Sequence, residues 1–295
     1  MKKLTNLNTL LLSILLIFNS VFIYGQTNEN CDRYKKYDIK ESRDKNNNII
    51  IDVFDIILNK KIDSLIVNNC ACNKYHFAEY YYPNLYVIKE FNQSSPNRYN
   101  ELWVVSKDSS KRINRVKEIS FSVNEKQDLL AYIKDKYNVL NVKNLQTRQE
   151  KSIKIFEDTS GETSIDVLKW STNKNIVWGS IGSPDTESNG FFSYNFDNGI
   201  LKQYRCPKSL GSEFDLNPDL GLLLYSDYVF PLDAAEGNEK PNIKKTLYIY
   251  NLYNKTEQTI VTINSKSDFI KPSWICSDYY EYQSSQNKTI KLKYK

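Results

Sequence analysis

Five cysteines (Cys31, Cys70, Cys72, Cys206, Cys276) and a single histidine, His76, carry the strongest intrinsic side-chain chemistry in this 295-residue chain. Cys70, Cys72 and His76 share the run CACNKYH, which can be drawn as a Cys-x-Cys-x3-His zinc site, but no fourth ligand stands nearby. In an exported chain, cysteines read first as disulfide material, with Cys31 bridging to Cys70 or Cys72. Five is odd, so at least one thiol is left over or pairs between chains; a Cys206–Cys276 bridge would join unlike positions of different repeats. With one histidine, any Ser-His-Asp or Cys-His arrangement rests wholly on His76, and neither G-x-S-x-G nor H-E-x-x-H occurs.

Acids supply the other possibilities. Asp215, Asn217, Asp219 and Gly221 spell D-x-N-x-D-x-G, the opening of a calcium loop, but the twelfth position, which needs a bidentate acid, is Ser226. Asp166, Asp215, Asp227 and Asp233 are candidates for a carboxylate pair acting on glycosides in a central pocket, the alternative to a binding role. Turn chemistry explains these acids equally well, since Asn, Pro, Asp and Gly are what tight turns select. No residue is assigned as catalytic or metal-ligating, and no cofactor is expected.

The elements that must position such residues are strands. ISFSVNEKQDLLAYI from Ile119, VLKWSTNKNIVWGSI from Val167, FDLNPDLGLLLYSDY from Phe214 and the weaker KPSWICSDYYEYQSS from Lys271 each close a short apolar strand on Phe121, Trp170, Leu216 or Trp274. A polar turn and a second apolar strand follow in every copy. A period near fifty residues with four short strands per unit is the signature of propeller blades. The last unit supplies three strands, so KIDSLIV from Lys61 is expected to complete it and remove a free edge. Counting from Cys72 gives about five four-stranded blades; IIIDVFDIIL is then surplus, which leaves six incomplete blades or an added edge strand open. Asn198-Gly199 predicts a tight type I′ hairpin between the last two strands of its unit.

Phe121-Ser122, Trp170-Ser171 and Asn217-Pro218-Asp219 through Gly221 match parts of an aromatic-Ser-Pro-Asp-Gly-Lys turn. On these residues the stretch from Cys72 to Lys295 resembles the WD40-like repeats of TolB-type propellers. The resemblance implies an all-β propeller that binds proteins or accompanies a catalytic domain.

Lys2 and Lys3 followed by the apolar run Thr9–Gly25 read as a signal peptide cleaved after Gly25, hence an exported protein with no membrane span once the signal is removed. Residues 26–48 read as a polar tether and 49–295 as one propeller domain. The mature chain keeps 38 basic against 35 acidic side chains, near balance, and nucleic acid is not indicated. The cluster Lys111, Arg112, Arg115 and Lys117 reads as a solvated turn. Insertions at Gly182–Asn189 and Val229–Lys245 occupy equivalent positions in successive units, so they gather on one face; Pro184, Asp185, Glu187, Asp233, Glu236 and Asn238 are the candidate contacts there for a protein or glycan. Tyrosines in FAEYYYPNLY and DYYEY are expected to be mostly packed between blades.

Overall fold

The computed structural model describes residues 37–294, apart from 47, 56–57, 68–73, 82, 92–98, 117–119, 125, 135, 158–162, 184–185, 211–213, 227–242, 266–271 and 284–287; for 74–79, 81, 183, 186–189, 207–210, 243–244 and 264–265 it describes the backbone alone. Among the described residues all regular structure is β, in six antiparallel sheets. The first holds β1 (Tyr37–Arg43), β2 (Ile49–Asp55) and β3 (Lys60–Val67). The second holds β4 (Lys74–Tyr81), β5 (Asn84–Phe91), β6 (Tyr99–Ser106) and β7 (Ser109–Val116). The third holds β8 (Phe121–Val123), β9 (Leu129–Ile133), β10 (Val139–Asn144) and β11 (Glu150–Lys154). The fourth holds β12 (Ser164–Trp170), β13 (Ile176–Ser183), β14 (Thr186–Asn195) and β15 (Leu201–Leu210). The fifth holds β16 (Phe214–Asn217), β17 (Leu222–Ser226), β18 (Ile243–Asn251) and β19 (Thr256–Ser265). The sixth holds β20 (Ser273–Trp274), β21 (Tyr279–Gln283) and β22 (Thr289–Lys293).

Each sheet is a meander, and its central strands are apolar on both faces because each face meets a different neighbour. In β9, Leu129, Ala131 and Ile133 pack toward the fourth sheet while Leu130 and Tyr132 pack toward the second. In β17, Leu222 and Leu224 pack toward the sixth sheet, and Leu223 and Tyr225 toward the fourth. Five cores built in this way join consecutive sheets in chain order. The repeat anchors Phe121, Trp170, Leu216 and Trp274 are all buried in them, as their spacing implies. Tyr80, Tyr86, Tyr280 and Tyr282 are buried as well.

Two expectations are corrected. The strand from Lys61 does not complete the last sheet: β3 pairs with β2, and Leu65 and Val67 bury against the second sheet. The reason is local. β2 alternates buried and half-buried residues, and its four-residue connection places β3 beside it before any distant strand competes. Residues 37–43 of the supposed tether are strand β1 on the other edge of β2.

The third correction concerns the Asn-Gly turn. Gly199 alone is left-handed, at φ 72°, and the loop spans Phe196–Ile200. The Asn195 side chain accepts from the Asp197 and Asn198 amides at 2.9 and 3.3 Å, and Gly199 N–H closes the turn on Asn195 O at 2.9 Å. A side chain that caps its own turn in this way favours the longer loop over type I′. The β10–β11 and β18–β19 turns repeat it, with Asn144 and Asn251 as caps and Arg148 and Lys255 as the left-handed residues.

Candidate functional site

Two regions carry polar chemistry. The inner turns, which join the first and second strands of the sheets, are knitted together. Asn84 Nδ2 donates to Gln127 Oε1 at 2.8 Å, linking the second sheet to the third. Trp170 Nε1 donates to Ser122 O at 3.0 Å. Thr172 donates twice to Asp219, from N–H at 2.7 Å and from Oγ1 at 2.9 Å. Ser171 Oγ donates to Pro218 O at 2.7 Å, and Asn217 Nδ2 to Ser277 O at 3.1 Å. The belt therefore runs from the second sheet to the sixth.

The acids of the D-x-N-x-D string belong to this belt. Asp215 Oδ1 pairs with Lys169 of the fourth sheet, and its Oδ2 accepts the Trp274 N–H of the sixth sheet at 2.7 Å. Asp215 thus bridges three sheets, and Asp219 holds the Thr172 turn. Asn217 caps its own turn by accepting from the Asp219 and Leu220 amides, and Gly221 closes it at φ 63°. Asp166 keeps solvent contact and accepts from Ser164 Oγ at 2.5 Å. Burial by the surrounding protein nonetheless raises its carboxyl pKa, with the Ser164 hydrogen bond opposing the shift. Asp227 and Asp233 lie outside the described residues.

Of the loop residues singled out from sequence, Pro184, Asp185, Asp233, Glu236 and Asn238 lie outside the described residues, and Glu187 is on the backbone of β14. The first insertion is not a loop but a lengthened hairpin, with Ser183 paired to Thr186 and only two residues at its tip. Both insertions connect the second and third strands of their sheets, β13 to β14 and β17 to β18. Cys31, Cys70 and Cys72 lie outside the described residues. Cys206 is fully buried and in no disulfide, which removes a Cys206–Cys276 bridge. In the basic cluster, Arg112 pairs with Glu101 at 2.9 Å and Arg115 lies over the Tyr99 ring at 4.5 Å.

The second region is a groove of about 750 Å³ between the fourth and fifth sheets. Lys202, Gln203, Tyr204 and Arg205 of β15 form one wall, and Tyr250, Leu252, Tyr253 and Lys255 of β18 and its following turn form the other. Three rings knit the walls: Trp178 stacks on Tyr204 at 5.1 Å, and Tyr253 meets Trp178 and Tyr204 edge-on at 5.7 and 5.8 Å. Tyr253 remains 54 % exposed. Its hydroxyl pKa is raised by burial first and by the neighbouring Tyr204 second. Lys202, Arg205 and Lys255 bring three cations to the lining, and among the described residues no carboxylate lines it. The groove's volume lies within the range of ligand sites, and its mix of aromatic wall and a few polar groups is theirs too. Sequence reasoning missed it, although aligning the three Asn-capped turns shows Tyr253 standing where Asp197 and Gln146 stand in its counterparts.

No family model and no curated protein matches the sequence. Solved structures match in fold. Hydrazine synthase of Kuenenia stuttgartiensis aligns over 88 % of this chain and 78 % of its own, at 9 % identity and TM-score 0.50. The β-propeller domain of Cps50 (Swd1) from Myceliophthora thermophila covers 86 % and 82 % at 10 % identity and TM-score 0.48. TolB from Acinetobacter baumannii covers 86 % and 63 % at 12 % identity and TM-score 0.48. The neighbours include WD40- and TolB-type β-propellers, and the likeness is one of fold. Among the described residues no helix is long and apolar enough to cross a membrane.

Proposed function

We propose that this protein is an exported β-propeller that serves as a binding or scaffold module, taking a protein or glycan partner at the sheet ends that carry the β13–β14 and β17–β18 connections. The observation that carries the reading is that both extended connections join second and third strands of adjacent sheets, so the meander brings them to the same end. The contacts proposed there are Pro184, Asp185, Glu187, Asp233, Glu236 and Asn238. Six sheets joined in sequence by five cores support a ring whose three-stranded first and last members face each other. Export rests on the basic start and apolar run of residues 2–25.

Affinity capture from the envelope fraction of the producing cell tests the binding role. Wild-type protein should enrich one protein or glycan, and a variant with residues 229–241 replaced by a Gly-Ser linker should not. Equal enrichment by both proteins, or none by the wild type, sinks the reading. Export is checked separately: Edman sequencing of the mature chain should begin at Gln26, and a chain that retains Lys2 and Lys3 contradicts cleavage.

A further inference from the structure

We infer that the groove between the fourth and fifth sheets is a second site, in which an acidic, extended peptide segment adds as a strand to the edge of β15. The site is distinct from the β17–β18 connection, since β18 runs between the two, from that connection at one end to the groove-lining turn at the other; Ile181 and Gly190, at the base of the β13–β14 hairpin, also line the groove.

Three observations carry the inference. β15 is the outer strand of its sheet and, among the described residues, pairs only with β14, so alternate N–H and C=O groups along its other side meet no described strand. Four successive residues, Lys202 to Arg205, line the groove, which therefore follows the strand edge and does not merely touch one face. An added strand takes its affinity from such main-chain groups and its specificity from pockets for alternate side chains. Tyr204 and Tyr253 supply an aromatic wall for those side chains.

Charge selects the partner. Lys and Arg on an edge strand often serve only to repel stray strands. Other basic residues on edge strands are engaged by the protein itself: Arg112 of β7 pairs with Glu101, and Lys154 at the end of β11 pairs with Glu157. Lys202, Arg205 and Lys255 face no carboxylate in the groove lining, and Glu257, opposite Tyr250, is held by the Tyr225 hydroxyl. Three cations gathered beside an open strand edge complement a segment that alternates carboxylates with apolar side chains.

Fluorescence anisotropy of the full mature chain with the labelled heptapeptide Glu-Phe-Glu-Val-Glu-Phe-Glu tests this. Binding should weaken at least about tenfold when Gln replaces Glu, and again when alternate backbone nitrogens are methylated. The exposed double variant Lys202→Glu, Arg205→Glu should show the same loss with unchanged thermal melting; if it melts early, Lys255→Glu gives the equivalent reading. Failure of the peptide to bind, undiminished binding of the methylated peptide, or tighter binding of an oligogalacturonate of equal charge overturns the inference. None of these probes reports on residues 229–241, so a failed capture experiment leaves this result standing and the converse also holds.

Discussion

The inner turn belt and the outer groove hold opposite charges in opposite conditions. Along the belt, acids are consumed by structure: Asp215 is bound to Lys169 and to a backbone amide of the sixth sheet, and Asp219 to Thr172. Along the groove, cations line a concave surface to which the described residues bring no acid. A charged residue that is already paired has little left to offer a ligand, whereas one held in a concave aromatic setting without a partner keeps its binding energy in reserve. Acids on the inner strands of a propeller invite a catalytic reading; here Asp215 and Asp219 are what hold adjacent sheets in register.

The largest effect that would break this contrast is on Asp215. Asp215→Ala removes an acceptor shared by two other sheets and should cost about 2–3 kcal/mol of stability, read as a lower urea midpoint. A midpoint equal to wild type would mean that the belt is not structural.

Glycine substitutions sharpen the comparison. Gly199→Ala makes only ordinary van der Waals contacts, with Lys151 Nζ at 3.6 Å and the Tyr194 hydroxyl at 3.9 Å, and should cost only the left-handed penalty of about 1–2 kcal/mol. At Gly221 an added Cβ would also lie 2.5 Å from the Tyr253 ring, so Gly221→Ala should destabilise more than Gly199→Ala and displace the ring. Equal melting of the two variants would show that Tyr253 yields freely and does not form a fixed wall.

Smaller effects belong to the groove cations. Lys202→Gln and Lys255→Gln should each change stability by less than about 0.5 kcal/mol, because exposed charges without partners contribute little to folding. A larger loss in chemical denaturation would reveal a structural role for them.

The last expectation concerns pH. Burial raises the folded pKa of Asp166 above its unfolded value. The folded state then favours the protonated acid, so the associated stability is present below the unfolded pKa and lost as pH rises through the folded one. Asp166→Asn should melt higher than wild type at pH 7 and level with it below about pH 3. The reverse order would mean that the Ser164 hydrogen bond outweighs burial.

Much of the architecture was legible in the chain. Phe121, Trp170, Leu216 and Trp274 mark the inner strands of four sheets because an aromatic or leucine at each strand end must be buried between neighbours. The runs LLAYI and LLLYS declare strands covered on both faces. Less legible were features that depend on competing partners. KIDSLIV is equally apolar beside β2 or beside the last sheet, and proximity along the chain decided for β2. Asn198-Gly199 reads as a two-residue turn until Asn195 is seen to cap a longer one.

The sequence by itself determined an all-β chain of repeated meanders, since strand alternation, turn residues and period are local properties that each segment carries with it. Only the tertiary structure decided what the charged residues do. Whether Asp215 is a catalyst or a brace, and whether Lys202, Arg205 and Lys255 are scattered or gathered, depends on distances between segments about fifty residues apart, and those are set when neighbouring sheets pack.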